Sequence, residues 1–246
     1  MGLLDLFSKD KRDVRAREKN VERATNKNAQ SLDRIRALEA LAIDGSDDAL
    51  YGLLRRFGVV YHKTIEDEQE KDWVFETLVE KGKSTLPAIQ RYLVSADSIS
   101  WPLRLLEKVA NPEETLAALK AVIARNEPGY ERDPTKKIQL LHHLGHFEHP
   151  ESAALAAPYL GDMDEGVRFA TVETLLAQKR EDVARDPLLT LLASDEEESR
   201  RIRLQICEGF AERGWLVSPA VRPAVEKKLP ETFQIDRDGR ISKKKA

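Results

Sequence analysis

Asp162-Met163-Asp164-Glu165-Gly166-Val167-Arg168-Phe169-Ala170-Thr171-Val172-Glu173-Thr174-Leu175 sets an acid-rich turn ahead of an apolar-basic dipeptide and a run of small and apolar residues. The dipeptide Val167-Arg168 has counterparts along the chain. An apolar residue followed by a basic or polar one recurs at Ile35-Arg36, Leu103-Arg104, Ile138-Gln139 and Ile202-Arg203, with Val74 in the remaining slot. Successive anchors stand 39, 29, 35, 29 and 35 residues apart, the period of stacked helix pairs. Seven residues after five of the six anchors is a small residue, Ala42, Ala110, Gly145, Thr174 or Gly209, where two helices can approach closely, and only Lys81 departs from the rule. The pattern predicts an all-α fold, a right-handed α-solenoid of about six helix pairs running continuously over residues 31–230.

Helical periodicity fills in the pairs. First-of-pair helices are expected near 46–57, 85–95, 112–125, 152–160 and 182–193, with partners near 69–81, 99–110, 135–146, 165–178 and 197–212 and a closing helix over 219–229. The helix from Ser31 to about Ile43 is expected to pack Leu32, Ile35, Leu38, Leu41 and Ala42 and to stop at Asp44-Gly45. Residues 1–30 read as a basic amino-terminal segment, partly helical and weakly anchored, because charge is dense between Lys9 and Lys27 and apolar residues are few. The β-prone and then acidic stretch Gly58 to Asp67 reads as a long surface loop, and the basic tail, residues 231–246, as disordered.

With 41% hydrophobic and 34% charged residues the composition suits a helical protein, and no apolar run reaches the length of a membrane span. The run Met1 to Phe7 is too short for a secretory signal, and a single cysteine, Cys207, fits a reducing compartment, so a cytoplasmic location is expected. Cys207 reads as an inert buried thiol beside Ile206. The net charge of −3 hides an asymmetry: residues 8–36 carry +5, residues 236–246 carry +3, and the span between them carries −10. An acidic array opposes a nucleic-acid cleft, which needs an excess of Lys and Arg.

The stretch from Asp162 to Leu175 resembles the core of a HEAT repeat, and Asp195 to Phe210 and Asp33 to Leu41 are similar. Asp72-Trp73-Val74-Phe75-Glu76, Ser98 to Arg104 and Tyr130 to Ile138 resemble a group of bacterial HEAT-repeat proteins that brings no assigned activity. The resemblance covers about residues 31–230. It implies that the turn acid and the arginine after each anchor form a ladder between units, a slot filled by Arg36, Arg104, Arg168 and Arg203, while Gln139 departs from it and Lys137 stands near enough to substitute.

No P-loop, dinucleotide fingerprint, nucleophile elbow or CxxC pair occurs, so no catalytic residue and no cofactor is expected. His142 and His146 are one helical turn apart within a cluster that also holds His143 and His149, but no HExxH is present and no metal site is expected. The acidic runs Glu66 to Glu68 and Glu196 to Glu198 read as solvated helix starts. Trp73 and Trp101 occupy equivalent places in successive units, and Arg104, Arg132 and Lys137 follow, with Arg168 at the edge. Aromatic and arginine residues on one face are what binding hot spots use. The expected function is therefore a non-enzymatic scaffold holding a protein or peptide, acidic or mixed in charge, on its inner face. A HEAT-like DNA-alkylation-repair glycosylase and a helical-repeat chromophore-lyase accessory are the alternatives. Leu3, Leu4, Leu6 and Phe7 are expected to dock, with weak membrane-surface contact through residues 1–15 as one outcome.

Overall fold

The computed structural model describes residues 3–178 and 180–244, with side chains from residue 11 onward. The fold is an all-α solenoid, whose helices gather into two compact units, Met1–Arg125 and Asn126–Ala246. The sequence reading runs one array through this division. Asn126-Glu127-Pro128-Gly129 and Asp133-Pro134 carry helix-stopping residues, and no helix forms between Ile123 and Thr135.

The first unit holds α1 (Leu3–Thr25), α2 (Ser31–Asp44), α3 (Asp47–Leu54), α4 (Thr64–Lys81), α5 (Leu86–Ser95), α6 (Ser100–Val109) and α7 (Pro112–Ile123). Leucines at helical spacing drive it: Leu38 and Leu41 of α2, Leu50, Leu53 and Leu54 of α3, Leu78 of α4 and Ile89 and Leu93 of α5 are all buried. The helices form two layers, α2, α4 and α6 in one and α3, α5 and α7 in the other, with α1 across α2 and α3. Local chemistry sets the ends. Gly45 turns at φ +63° and its N–H donates to the Leu41 carbonyl at 3.1 Å, closing α2. Ser46 caps α3, and Asn111 with Glu114 makes a reciprocal capping box ahead of Pro112. The carboxy-terminal half of α1 docks by Val21 and Ala24, whereas Lys11 to Ala16 are exposed on every side. The expected docking of Met1 to Phe7 lies outside the described side chains.

The second unit holds α8 (Thr135–His146), α9 (Ser152–Ala156), α10 (Glu165–Ala177), α11 (Glu181–Ala193), α12 (Arg200–Arg213) and α13 (Arg222–Lys228). Here α8, α10 and α12 form one layer, and α9, α11 and α13 the other. The small residues after the anchors are where neighbouring helices of the first layer meet. A Cβ on Gly145 would touch the Thr174 Cα at 3.5 Å, and one on Gly209 would overlap Leu176 of α10. The Thr174 hydroxyl donates to the Leu141 carbonyl of α8 at 2.7 Å, tying those two helices together.

Two expectations are corrected. The tail read as disordered contains an antiparallel hairpin, β1 (Phe233–Ile235) and β2 (Ile241–Lys243), that rests on α12. Burial of Phe233 and Ile241 stabilises it, and its turn is made by Gly239 at φ +88° and by Asp236, whose carboxylate accepts the Asp238 and Arg240 N–H groups. The long loop read between Gly58 and Asp67 is also shorter than expected. Helix α4 already begins at Thr64, and Tyr61 is buried with its hydroxyl donating to the Ala24 carbonyl at 2.8 Å.

Candidate functional site

Residue types at helical spacing place a charged network on the buried face of α4. Asp67, Glu70 and Lys71 are three and four residues apart and all buried. Glu70 accepts Arg34 Nη2 at 2.7 Å and Arg56 Nε at 2.9 Å, while Asp67 accepts Arg56 Nη2 and Lys71 Nζ, both at 2.7 Å. The Tyr61 ring lies under both guanidinium groups, 4.2 Å from Arg34 and 4.0 Å from Arg56. Burial pushes the Asp67 carboxyl up, but the hydrogen bonds from Lys71 and Arg56 outweigh it and hold the pKa below the ordinary value. Every charge is engaged, so the network fixes α2 and α4 in register and leaves no group free for chemistry. Sequence reading missed it, taking Asp67 for a solvated helix-start acid and Arg36 for the ladder residue. In the structure Arg34 fills that role and Arg36 is exposed.

The ladder continues in the second unit. Lys137 Nζ lies 3.0 Å from the buried Asp162 carboxylate and donates to the Gly129 carbonyl. Arg168 donates to both Glu197 oxygens at 2.8 and 3.2 Å, and Arg203 donates to the Glu197 carbonyl. Burial pushes the Glu197 carboxyl up, but the hydrogen bonds from Arg168 and the Ser199 N–H outweigh it and hold the pKa below the ordinary value. Glu197 is thus a buried ladder acid and not a solvated one. Lys137, expected on a binding surface, is 2% exposed and committed to Asp162. Arg168 is likewise committed to Glu197.

Of the remaining expected site residues, Trp101 and Arg104 come together and Trp73 stands apart. Trp101 is half-buried, stacked on Phe57 at 5.3 Å and edge-on to Phe75 at 5.9 Å. The Arg104 guanidinium covers it at 4.6 Å and Phe75 at 5.4 Å, so Arg104 caps an aromatic cluster and does not join the ladder. Arg132 is exposed in the second unit. Trp73 is 39% exposed and lines a groove of about 210 Å³ between α2 and α4 with Ile35, Leu38, Ser31, Glu66, Gln69 and Glu70. The expectation that Leu32 and Ile35 pack inward fails: they are 56% and 38% exposed.

His142 is exposed and lies 3.8 Å from Glu173, whereas His143 is buried and stacked toward Phe147, its pKa lowered to about 4 first by burial and then by His146. Among the described residues no three His, Cys, Asp or Glu side chains are grouped to hold a metal ion. Cys207 is fully buried, and burial pushes its thiol up to about 12, as an inert thiol requires. Among the described residues no helix is long and apolar enough to cross a membrane.

Comparison with known families finds HEAT repeats matching residues 128–207, the stretch from the segment before α8 into α12. No curated relative and no solved structure matches the chain.

Proposed function

We propose that the chain, which matches HEAT repeats over residues 128–207, is a non-enzymatic, cytoplasmic HEAT-repeat scaffold that holds a protein or peptide partner on the layer of second-of-pair helices. One observation carries the reading. Large apolar side chains are exposed on α2 and α4, at Leu32, Ile35, Ile43, Ile65 and Trp73, while among the described residues none is exposed on α3, α5 or α7. Val14, Val60, Tyr130, Met163 and Leu216 are also exposed, but they lie on α1 or outside the helices. Among the described residues, only one of the two helix layers of the first unit therefore presents large apolar side chains to water, at a cost of about 25 cal/mol per Å² of apolar area, as a contact surface does. Stacked helix pairs supply such extended surfaces.

Trp101 and Arg104 border this layer on α6, and their packing gives the region a rigid edge. The charge of the layer opposes nucleic acid as the partner, because the exposed positions of α4 include Glu68, Asp72, Glu76 and Glu80. The test is affinity capture from native cells with the full chain and with an Ile35→Ser, Trp73→Ser double variant. A protein retained by the native chain and lost by the variant is expected. Equal retention by both, or retention of nucleic acid alone, contradicts the reading.

A further inference from the structure

On helix α4, Glu66, Gln69, Trp73, Glu76 and Glu80 fall at three- and four-residue intervals, so they share one stripe. Trp73 lies in its middle with Ile35 and Leu38 of α2 across the groove. Asp72 adjoins the stripe and Glu68 is exposed beside its start. Glu66 is partly engaged by Lys63 at 2.9 Å and Arg34 at 3.8 Å. Among the described residues no cation pairs with Glu68, Asp72, Glu76 or Glu80, and Lys71 is buried on Asp67. Helix α2 adds Asp33 and Glu39 against one exposed cation, Arg36. The groove is therefore an apolar floor set in an acidic surface.

Resting on the scaffold reading, we propose that this groove docks a basic amphipathic segment of the protein partner, one apolar side chain seated against Ile35, Leu38 and Trp73 and its lysines or arginines facing the α4 acids. Charge complementarity selects this occupant: an acidic segment would meet unpaired like charge on both sides of Trp73, whereas a basic one neutralises it. The assignment reverses the acidic peptide expected from the sequence. Of the cations that expectation named, Lys137 is spent on Asp162 and Arg168 on Glu197, Arg104 lies over Trp101 and Phe75, and Arg132 is exposed in the second unit, on neither helix of the groove. Trp73 supplies the rigid aromatic area that anchors such contacts.

The test is a fluorescence-anisotropy titration of the full chain against a labelled amphipathic helical peptide of lysine and leucine, and against its glutamate-leucine counterpart. The lysine peptide is expected to bind and the glutamate peptide not to bind. Trp73→Ser and Glu76→Lys should each weaken the lysine peptide at least about tenfold, and Glu76→Lys, at an exposed position, should do so with unchanged thermal unfolding. Equal binding of the two peptides, no binding of either, or unchanged affinity in either variant overturns the proposal. Self-association of the chain that Trp73→Ser abolishes would assign the groove to a second copy and also overturn it. The failure of this inference is separable from that of the scaffold reading. A captured partner lost with Ile35→Ser, Trp73→Ser but retained in full by Glu76→Lys leaves the scaffold standing and removes the basic segment.

Discussion

Gly209 of α12 lies against Leu176 of α10 so closely that a Cβ on the glycine would stand 2.4 Å from Leu176 Cδ1 and 3.0 Å from its Cγ. Gly145 of α8 is different, its nearest neighbours being the Thr174 Cα at 3.5 Å and hydroxyl at 3.6 Å, an ordinary contact. Alanine gains up to about 1 kcal/mol over glycine in a helix, and overpacking a filled core costs about 1–3 kcal/mol. At Gly209 the overlap wins because Leu176 is itself buried. Gly209→Ala should lower the unfolding free energy by about 1–2 kcal/mol and Gly145→Ala should leave it unchanged or raise it slightly. Chemical denaturation of the two variants checks the contrast, and equal effects would contradict the close approach.

The network around Arg56 yields a larger effect. Arg56 is fully buried and bonds Glu70, Asp67 and the Val59 carbonyl. Arg56→Leu leaves two buried carboxylates short of a partner and should cost about 3–5 kcal/mol. Arg104→Leu, which removes only a surface guanidinium over Trp101 and Phe75, should cost about 1 kcal/mol or less. Urea midpoints that rank the two in the opposite order would place the structural ladder at Arg104 after all.

His143 gives the fold a pH dependence. Its folded pKa is lowered to about 4, below the ordinary 6.5, so the unfolded chain binds a proton that the folded chain refuses between those values. Stability from this group is complete above about pH 6.5 and is lost as pH falls toward 4. Between pH 7 and pH 4 the native chain should lose about 3 kcal/mol more than His143→Leu. Parallel pH profiles for the two proteins would contradict the burial of a neutral imidazole.

Much of this architecture was legible in the sequence because stacked helix pairs repeat one chemical pattern. Val167, anchor of the deciding stretch, is fully buried, and Gly145, Thr174 and Gly209 mark close helix approaches as their spacing implied. Ile35 shows where the pattern misleads. In α2 the buried stripe runs through Arg34, Ala37, Leu38 and Leu41, so the helix is turned by about one residue, roughly 100°, from the register that Ile35-Arg36 suggested. That rotation exposes Ile35 and makes the groove. Asp67 and Glu197 were illegible for another reason: a helix-start acid looks the same in sequence whether water or a distant arginine solvates it. The hairpin had a signal, Asp238-Gly239 between Phe233-Gln234-Ile235 and Ile241, that the run Lys243-Lys244-Lys245 overshadowed.

The hairpin makes its own prediction. Gly239 sits at φ +88° with the Val217 carbonyl oxygen 2.8 Å from where a Cβ would be, and Val217 N–H donates to the Gly239 carbonyl at 2.8 Å. Gly239→Val should detach the hairpin from Val217, speeding hydrogen exchange across residues 233–243 while α10 stays protected. Unaltered exchange in the hairpin would contradict its anchoring at Val217.

The central claim, that the α2 and α4 layer is the surface on which a protein partner is held, is tested most directly by photo-crosslinking in native cells. A photoreactive side chain replaces Ile35 or Trp73, or, as a control on the other layer, the exposed Gln90 of α5. Crosslinks to a protein from positions 35 and 73 and none from position 90 are the expected result. Crosslinks from position 90 alone, or equally from all three, would contradict the account.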